Sequence, residues 1–170
     1  MERHADVTVR PYDPDADWPG LWELKAAFER ELGGKDEGKA ARYEGKLTDA
    51  YRERYRDWVA DCAARDPGCV LVADDGGPVG YLFLLPEDLA LVWDAAVVNE
   101  LYLAPAYRGS DLAGALMDAA LAHASAQDLP LSRVVLDVDP DNERAYAFYE
   151  GYGFEPWAEM VAYDLGEPDS

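Results

Sequence analysis

The spacing of apolar and polar residues changes several times along the chain, and each change predicts an element. Val7-Thr8-Val9-Arg10 alternates with the period of a short strand, which Pro11 ends. From Asp15 to Leu32, Trp18, Leu21, Trp22 and Phe28 recur at roughly helical spacing. Asp15 or Asp17 can cap this helix, Pro19 suits its first turn and Gly33-Gly34 stops it. A charged stretch from Lys35 to Asp57 leads into a second helix over about Thr48 to Arg65, striped by Tyr51, Tyr55, Trp58, Val59 and Cys62. Past Pro67-Gly68 the period becomes that of strands. Cys69 to Ala73 is one, Asp75-Gly76-Gly77-Pro78 turns, and Val79 to Leu85 returns antiparallel to it. Leu91 to Leu103 exceeds the usual strand length, which predicts a bulge. An amphipathic helix follows over Leu112 to Gln127, then a strand over Val134 to Val138. Asn142 to Glu150 is a helix, and Phe154 to Asp164 a final strand region.

This order predicts an α/β (α+β) fold with a single mixed central sheet flanked by helices, its pairing changing from antiparallel to parallel. The long strand, short loop, helix and next strand from Leu91 through Val138 form one βαβ unit. With 170 residues and no internal linker, residues 1–166 are expected to form one domain, with 167–170 a frayed tail. Ligands of such sheets favour the carboxyl ends of strands beside a helix N-terminus.

Charge narrows the function. Thirty-five acids against fifteen bases give −20, a field that repels nucleic acid and anionic membranes. Apolar types make up 49%, so acidity does not signal disorder. An acidic, Lys-poor surface on a patterned core suggests adaptation to concentrated salt, which predicts a melting temperature that rises in molar KCl. Cys62 and Cys69 are too few for a disulfide scaffold, and with only His4 and His123 no zinc site or Ser-His-Asp triad is expected; His123 reads as an ordinary helix residue. No apolar run is long enough to span a bilayer, and the N-terminus has no signal-peptide core; a cytoplasmic protein is expected, with a homodimer left open.

The loop from Leu101 to Leu116 carries chemistry. A strand delivers Arg108, Gly109, Ser110 and Asp111 to the start of a helix, where backbone N–H groups and the positive end of the dipole form a cradle for pyrophosphate. Arg108 adds a charge-assisted contact, and it is one of only four bases after Asp57 against twenty-one acids. A second segment runs Asn142-Glu143-Arg144-Ala145-Tyr146-Ala147-Phe148-Tyr149-Glu150-Gly151-Tyr152-Gly153-Phe154. Together the two segments resemble the GNAT superfamily of acetyl-coenzyme A-dependent N-acyltransferases. The first corresponds to its Arg/Gln-x-x-Gly-x-Gly/Ala motif, the second to its Asn-x-x-Ala-x-x-Phe-Tyr-x-x-x-Gly-Phe signature. The close match covers about Val97 to Trp157.

The resemblance implies acetyl-CoA as the acyl donor, an amine as the acceptor, and no metal. It places the pyrophosphate at Arg108, Gly109, Ser110, Asp111, Leu112, Ala113 and Gly114, and the pantetheine arm along Leu101, Tyr102 and Leu103. Asn142 matches the Asn that contacts that arm; Ala145, Phe148 and Tyr149 on the same helix join the coenzyme-binding set. Tyr149 matches the Tyr that protonates the departing thiolate. Glu100 and Asp137 are the candidates for collecting the amine's proton, Asp137 because some members carry a Glu on that strand. The acceptor wall corresponds to Trp18 to Arg65 and Trp157 to Tyr163, with Trp22, Tyr43, Tyr51 and Tyr55 available to line it or simply to pack. Asp111 departs from the motif by standing where its first Gly belongs. Turned inward, its charge weakens the cradle; turned back to cap the following helix, it is benign, and the capping role is the expectation. The rival from another class is a non-catalytic acyl-CoA-binding or protein-interaction module on the same fold.

Overall fold

The helix that opens at Pro14 shows how local chemistry sets the element boundaries. Asp13, in extended backbone, accepts from the Asp15 amide at 3.0 Å, and Pro14 occupies the first helical position. The cap is therefore Asp13 rather than Asp15 or Asp17, and Pro19 lies inside the helix. Asp17 is free for another task. It receives Arg10 Nη1 and Nη2 at 2.7 and 2.8 Å and the Asp13 amide at 2.8 Å.

The computed structural model describes residues 6–34 and 37–166. His4, Lys35 and the expected tail at 167–170 lie outside them. The elements are β1 (Thr8–Pro11), α1 (Pro14–Gly33), α2 (Glu37–Lys46), α3 (Asp49–Arg65), β2 (Val70–Asp74), β3 (Pro78–Leu84), β4 (Ala96–Leu103), α4 (Leu112–Ser125), β5 (Val134–Val135) and α5 (Glu143–Tyr152). The sheet runs in the order β1-β2-β3-β4-β5, antiparallel except for the parallel β4–β5 pair. The mixed sheet and its change of pairing agree with the sequence reading. The chain divides into two compact units, Met1–Val135 and Leu136–Ser170; the sheet and α1–α4 belong to the first, α5 to the second.

Several expected elements differ. The charged stretch holds a helix of its own, α2, none of whose residues is buried. The long strand begins at Ala96, because residues 91–95 turn, and its bulge falls where Phe83 opposes Glu100 while Leu84 opposes Val98. The strand expected over Val134 to Val138 stops at Val135, with Val134 opposite Ala96 and Val135 opposite Val97. Residues 154–166 form no strand. A strand exists only through its ladder partner, and no backbone pairing reaches this segment among the described residues.

β2 and β3 are apolar and buried along most of their length, as central strands are. One face of the sheet is covered by α1 and α3: Phe28 meets the edge of Tyr102 with ring centroids 5.4 Å apart, and Trp58 lies 4.9 Å from Phe83. On the other side, the buried Leu112, Leu116, Met117, Ala120 and Ala124 of α4 pack against β2–β4. His123 is a structural residue, as expected; its Nε2 bonds Asp66 at 2.8 Å. No described helix is long and apolar enough to cross a membrane.

Arg10 holds the Asp17 carboxyl below the usual carboxylate range against the opposing effect of burial. A depressed folded-state value contributes stability above about pH 4, lost as pH falls through the folded-state value. Asp17→Asn is therefore expected to lower stability by about 1.5–3 kcal/mol at pH 7, the range for hydrogen bonds to charged groups. At pH 2 the difference should be smaller than at pH 7. Urea unfolding of both proteins at the two pH values checks this, and an equal loss at both contradicts it.

Candidate functional site

β4 is the element on which the site is built. Over Ala96–Val97 it pairs with β5 and over Val98–Leu103 with β3; β5 ends at Val135, so from Val98 to Leu103 β4 has no strand partner on the β5 side among the described residues. An unpaired strand edge offers N–H and C=O groups to an extended ligand, as in β-augmentation. Leu101, Tyr102 and Leu103 lie on this stretch, opposite Leu82, Tyr81 and Gly80 of β3. A Cβ at Gly80 would press on the Leu103 side chain and come within 3.1 Å of the Tyr102 carbonyl, so the glycine lets β3 and β4 approach closely.

After Leu103 a 3-10 turn at Pro105–Tyr107 leads into the loop before α4. Gly109 has φ +77°, and no atom lies within 4 Å of the position a Cβ would take. The glycine therefore answers to backbone conformation, and the space beside it is open. Ser110 Oγ donates to the Tyr107 carbonyl at 2.5 Å and accepts from the Leu112 amide at 3.3 Å. Asp111 occupies the cap position but makes no side-chain cap bond, and it is exposed. The expected capping role belongs to Ser110 instead: at φ −76°, ψ 2° the Asp111 backbone has already turned toward the helix, and the neighbouring hydroxyl reaches the first amide. Ala113 and Gly114 follow in the first turn of α4, at its positive end. The open glycine corner and the helix N-terminus fit a diphosphate.

Arg108 is turned back on its own strand. Its Nε donates to the Leu103 carbonyl at 3.1 Å, its Nη2 meets Glu31 at 2.7 Å, and its guanidinium lies 5.2 Å from the Tyr102 ring centroid. An anion approaching this guanidinium has to compete with Glu31. Burial and the bond to Glu31 push the Tyr102 hydroxyl up to about 12.

Glu100 lies three residues before Leu103 and is buried. Its Oε1 accepts from the hydroxyls of Tyr55 and Tyr81, each at 2.8 Å, and its Oε2 from Lys25 Nζ at 3.1 Å. Lys25 also bonds Glu29, whose other oxygen takes Lys46 Nζ at 2.6 Å. Burial opposes the Lys25 charge, yet Glu100 and Glu29 raise its pKa overall; Glu29 is likewise held low by Lys25 and Lys46 despite burial. Burial, then the Glu100 charge, pushes the Tyr55 and Tyr81 hydroxyls well above their usual range. Trp22, Tyr51 and Tyr55 form an aromatic wall beside this cluster, with ring centroids 6.3 Å apart pairwise. The sequence reading missed Lys25, Glu29 and Tyr81; Lys25 and Glu29 share a helix face at i, i+4, a signal that was present.

The second unit holds the other signature. Asn142 caps α5, its side-chain oxygen accepting from Ala145 N at 3.2 Å, which leaves its amide N–H groups outside the cap. Gly153, at φ +97°, ends the helix, and the Phe154 amide returns to the Tyr149 carbonyl at 3.1 Å. Tyr149 meets Phe148 and Phe154 edge-on, with ring centroids 5.5 and 5.8 Å away. Burial, then the charge of Asp137, pushes the Tyr149 hydroxyl up to about 12. Asp137 itself lies beyond the end of β5, so the alternation of a strand does not orient it. Much of this signature is the grammar of one short helix: cap, aromatic face and left-handed stop.

The family model of the GNAT acetyltransferases matches residues 22–154, which takes in both segments. The chain belongs to the GNAT acetyltransferase family. It is 28% identical over 122 residues to a peptidyl-lysine N-acetyltransferase of Salmonella typhimurium, covering 72% of this chain and 73% of the relative. It is 40% identical over 164 residues to a mycothiol acetyltransferase of Salinispora tropica, covering 94% of this chain but 48% of the relative. The GNAT chain thus spans about half the length of that protein. Its fold is similar to that of a GCN5-related N-acetyltransferase from Ralstonia eutropha, with a TM-score of 0.66 at 23% identity, covering 94% of this chain and 99% of the other.

Asp111 supplies a test of the cradle. If the diphosphate of acetyl-CoA docks at this corner, Asp111→Gly removes a charge beside it and leaves the Ser110 cap in place, so binding should tighten several-fold in dilute salt. In molar salt, where the Debye length is about 3 Å, the gain should shrink. Calorimetric titration of both proteins at two salt concentrations reads this; weaker binding by the variant would show that Asp111 supports the cradle.

Proposed function

We propose that this GNAT domain, acting over residues 1–166 in the cytoplasm, transfers the acetyl group of acetyl-CoA to a primary amine by direct attack in a ternary complex. The observation that carries the reading is the edge of β4 from Val98 to Leu103, without a strand partner among the described residues, which runs into the open Gly109 corner and the N-terminus of α4. A pantetheine arm is an extended amide chain with a diphosphate at its end, and this edge and corner match it part for part.

The chemistry asks little of the protein. A neutral amine attacks the thioester carbonyl, a backbone N–H of the Leu101–Leu103 edge polarises that carbonyl, and the thiolate leaves. The amine's surplus proton passes through water to a carboxylate. Glu100 is buried and already accepts from three donors, whereas Asp137 is exposed. Tyr149 assists departure of the thiolate. Its hydroxyl, pushed up to about 12, stays protonated at working pH and donates a hydrogen bond to the negative charge developing on sulfur. The relatives' names differ, a peptidyl-lysine N-acetyltransferase in one and a mycothiol acetyltransferase in the other, and they point to no single acceptor.

Following free thiol while acetyl-CoA is offered with a panel of primary amines tests this. Amine-dependent thiol release is expected. Binding of acetyl-CoA with no release from any amine would favour a non-catalytic acyl-CoA-binding module.

A further inference from the structure

Two arginines stand together on α3 with no acid to balance them. Arg52 and Arg56 lie one helical turn apart, and both set their guanidinium against the ring of Trp18 on α1, at 5.8 and 5.6 Å from its centroid. Like charges at this spacing oppose each other on a helix. The chain holds thirty-five acids to fifteen bases, yet neither guanidinium has an ion-pair partner among the described residues. Asp17, beside Trp18 in sequence, is already engaged, since Arg10 bonds both of its oxygens. Trp18 is 3% exposed, and its Nε1–H has no acceptor among the described residues. The Nε–H of the half-buried Arg52 is likewise buried and without one. Buried donors are nearly always bonded, and leaving one unmade is costly. Stacking on the indole accounts for where the guanidiniums lie. It satisfies neither N–H group and neutralises neither charge.

We propose that Trp18, Arg52 and Arg56 form a binding site for a small, doubly charged oxyanion between α1 and α3. Every polar group of the set is an N–H donor and the set carries two positive charges, so its ligand is an acceptor with two negative ones. A guanidinium offers paired N–H groups in a plane, the geometry that carboxylate and phosphate oxygens take bidentately. The ligand accepts from Trp18 Nε1 and Arg52 Nε, and Arg56, which is exposed, meets it from the solvent side. Binding ties α1 to α3 and relieves the repulsion between the two arginines. The inference does not depend on acetyl transfer, because none of the three residues belongs to the β4 edge, the Gly109 corner or α5.

Calorimetric titration of the full chain with succinate, and separately with inorganic phosphate, tests the proposal in dilute Tris chloride at pH 8. At least one of the two should bind saturably, one per chain, and raise the melting temperature. Arg52→Met and Arg56→Met should each weaken that binding about tenfold or more, the loss of a hydrogen bond to a charged group. Arg54→Met removes the same charge from the same helix and should leave the affinity unchanged. Arg52→Lys keeps the charge but not the planar fork, and it should not restore binding. Trp18→Phe deletes the indole N–H and keeps an aromatic face, so it should also weaken binding; if it does not fold, the arginine variants carry the test. Succinate binding alone marks a carboxylate as the ligand, and phosphate binding alone marks a phosphate. No saturable binding of either anion overturns the site and leaves the arginines as packing for Trp18. Binding that falls no further in Arg52→Met than in Arg54→Met overturns it as well, as would be seen for phosphate held at the Gly109 corner instead.

Discussion

Replacing Lys25 by Met should destabilise the protein by about 3–5 kcal/mol, the loss seen when one partner of a buried ion pair is removed. That is a large part of the roughly 5–15 kcal/mol by which domains are stable. The reason is local. Lys25 is the one buried ammonium of this cluster, and it bonds Glu29 and Glu100 together. Methionine fills a similar volume but leaves Glu100 with two phenol donors and no counter-charge. Adding Glu100→Gln to Lys25→Met should lose less than the sum of the single changes, because the amide carries no charge to neutralise. The pH dependence has a definite sign. The folded-state pKa of Lys25 is raised, so its contribution is complete below about pH 10.4 and is lost as pH rises through the folded value. Urea unfolding at pH 7 reads the main effect; a loss under about 1 kcal/mol would mean that water reaches these carboxylates.

Tyr149→Phe should lower kcat by roughly 10²-fold while leaving the affinity for acetyl-CoA unchanged, the scale of one donor lost from a charge that develops in the transition state. The substitution deletes one hydroxyl and preserves the ring contacts to Phe148 and Phe154, so the helix should remain intact. Because the hydroxyl titrates near 12, its ionisation should produce no fall in kcat between about pH 8 and 10. Single-turnover rates of both proteins separate chemistry from product release. Equal rates would assign Tyr149 to packing alone.

The legible parts of the chain were those whose cause is local. The turn at Asp75–Pro78 and the starts of α3 near Thr48 and of α5 near Asn142 each follow from residues within a few positions. The helix α2 escaped because Glu37 to Lys46 presents no apolar stripe, and a helix that buries nothing leaves no periodic trace. β5 was read too long because a hydrophobic run sets where a strand can exist, whereas its partner sets how far it does. The site divides in the same way. The Gly109 corner and the helix start could be read from spacing. The bonds from Arg108 to Glu31 and from Glu100 to Lys25 span 77 and 75 residues, and no local pattern announces them. Asp111 was read as a cap because Asp is a favoured capping residue; the adjacent Ser110 competes for the same amide and takes it.

Intact-protein mass spectrometry, paired with product and thiol quantification, tests direct acetyl transfer in a single turnover. Protein with acetyl-CoA alone should keep its unmodified mass and release no thiol. On addition of a reactive primary amine, one N-acetyl product and one thiol should appear together, with the protein mass still unchanged. Acetylated protein formed before the amine is added, and consumed by it, would contradict direct attack.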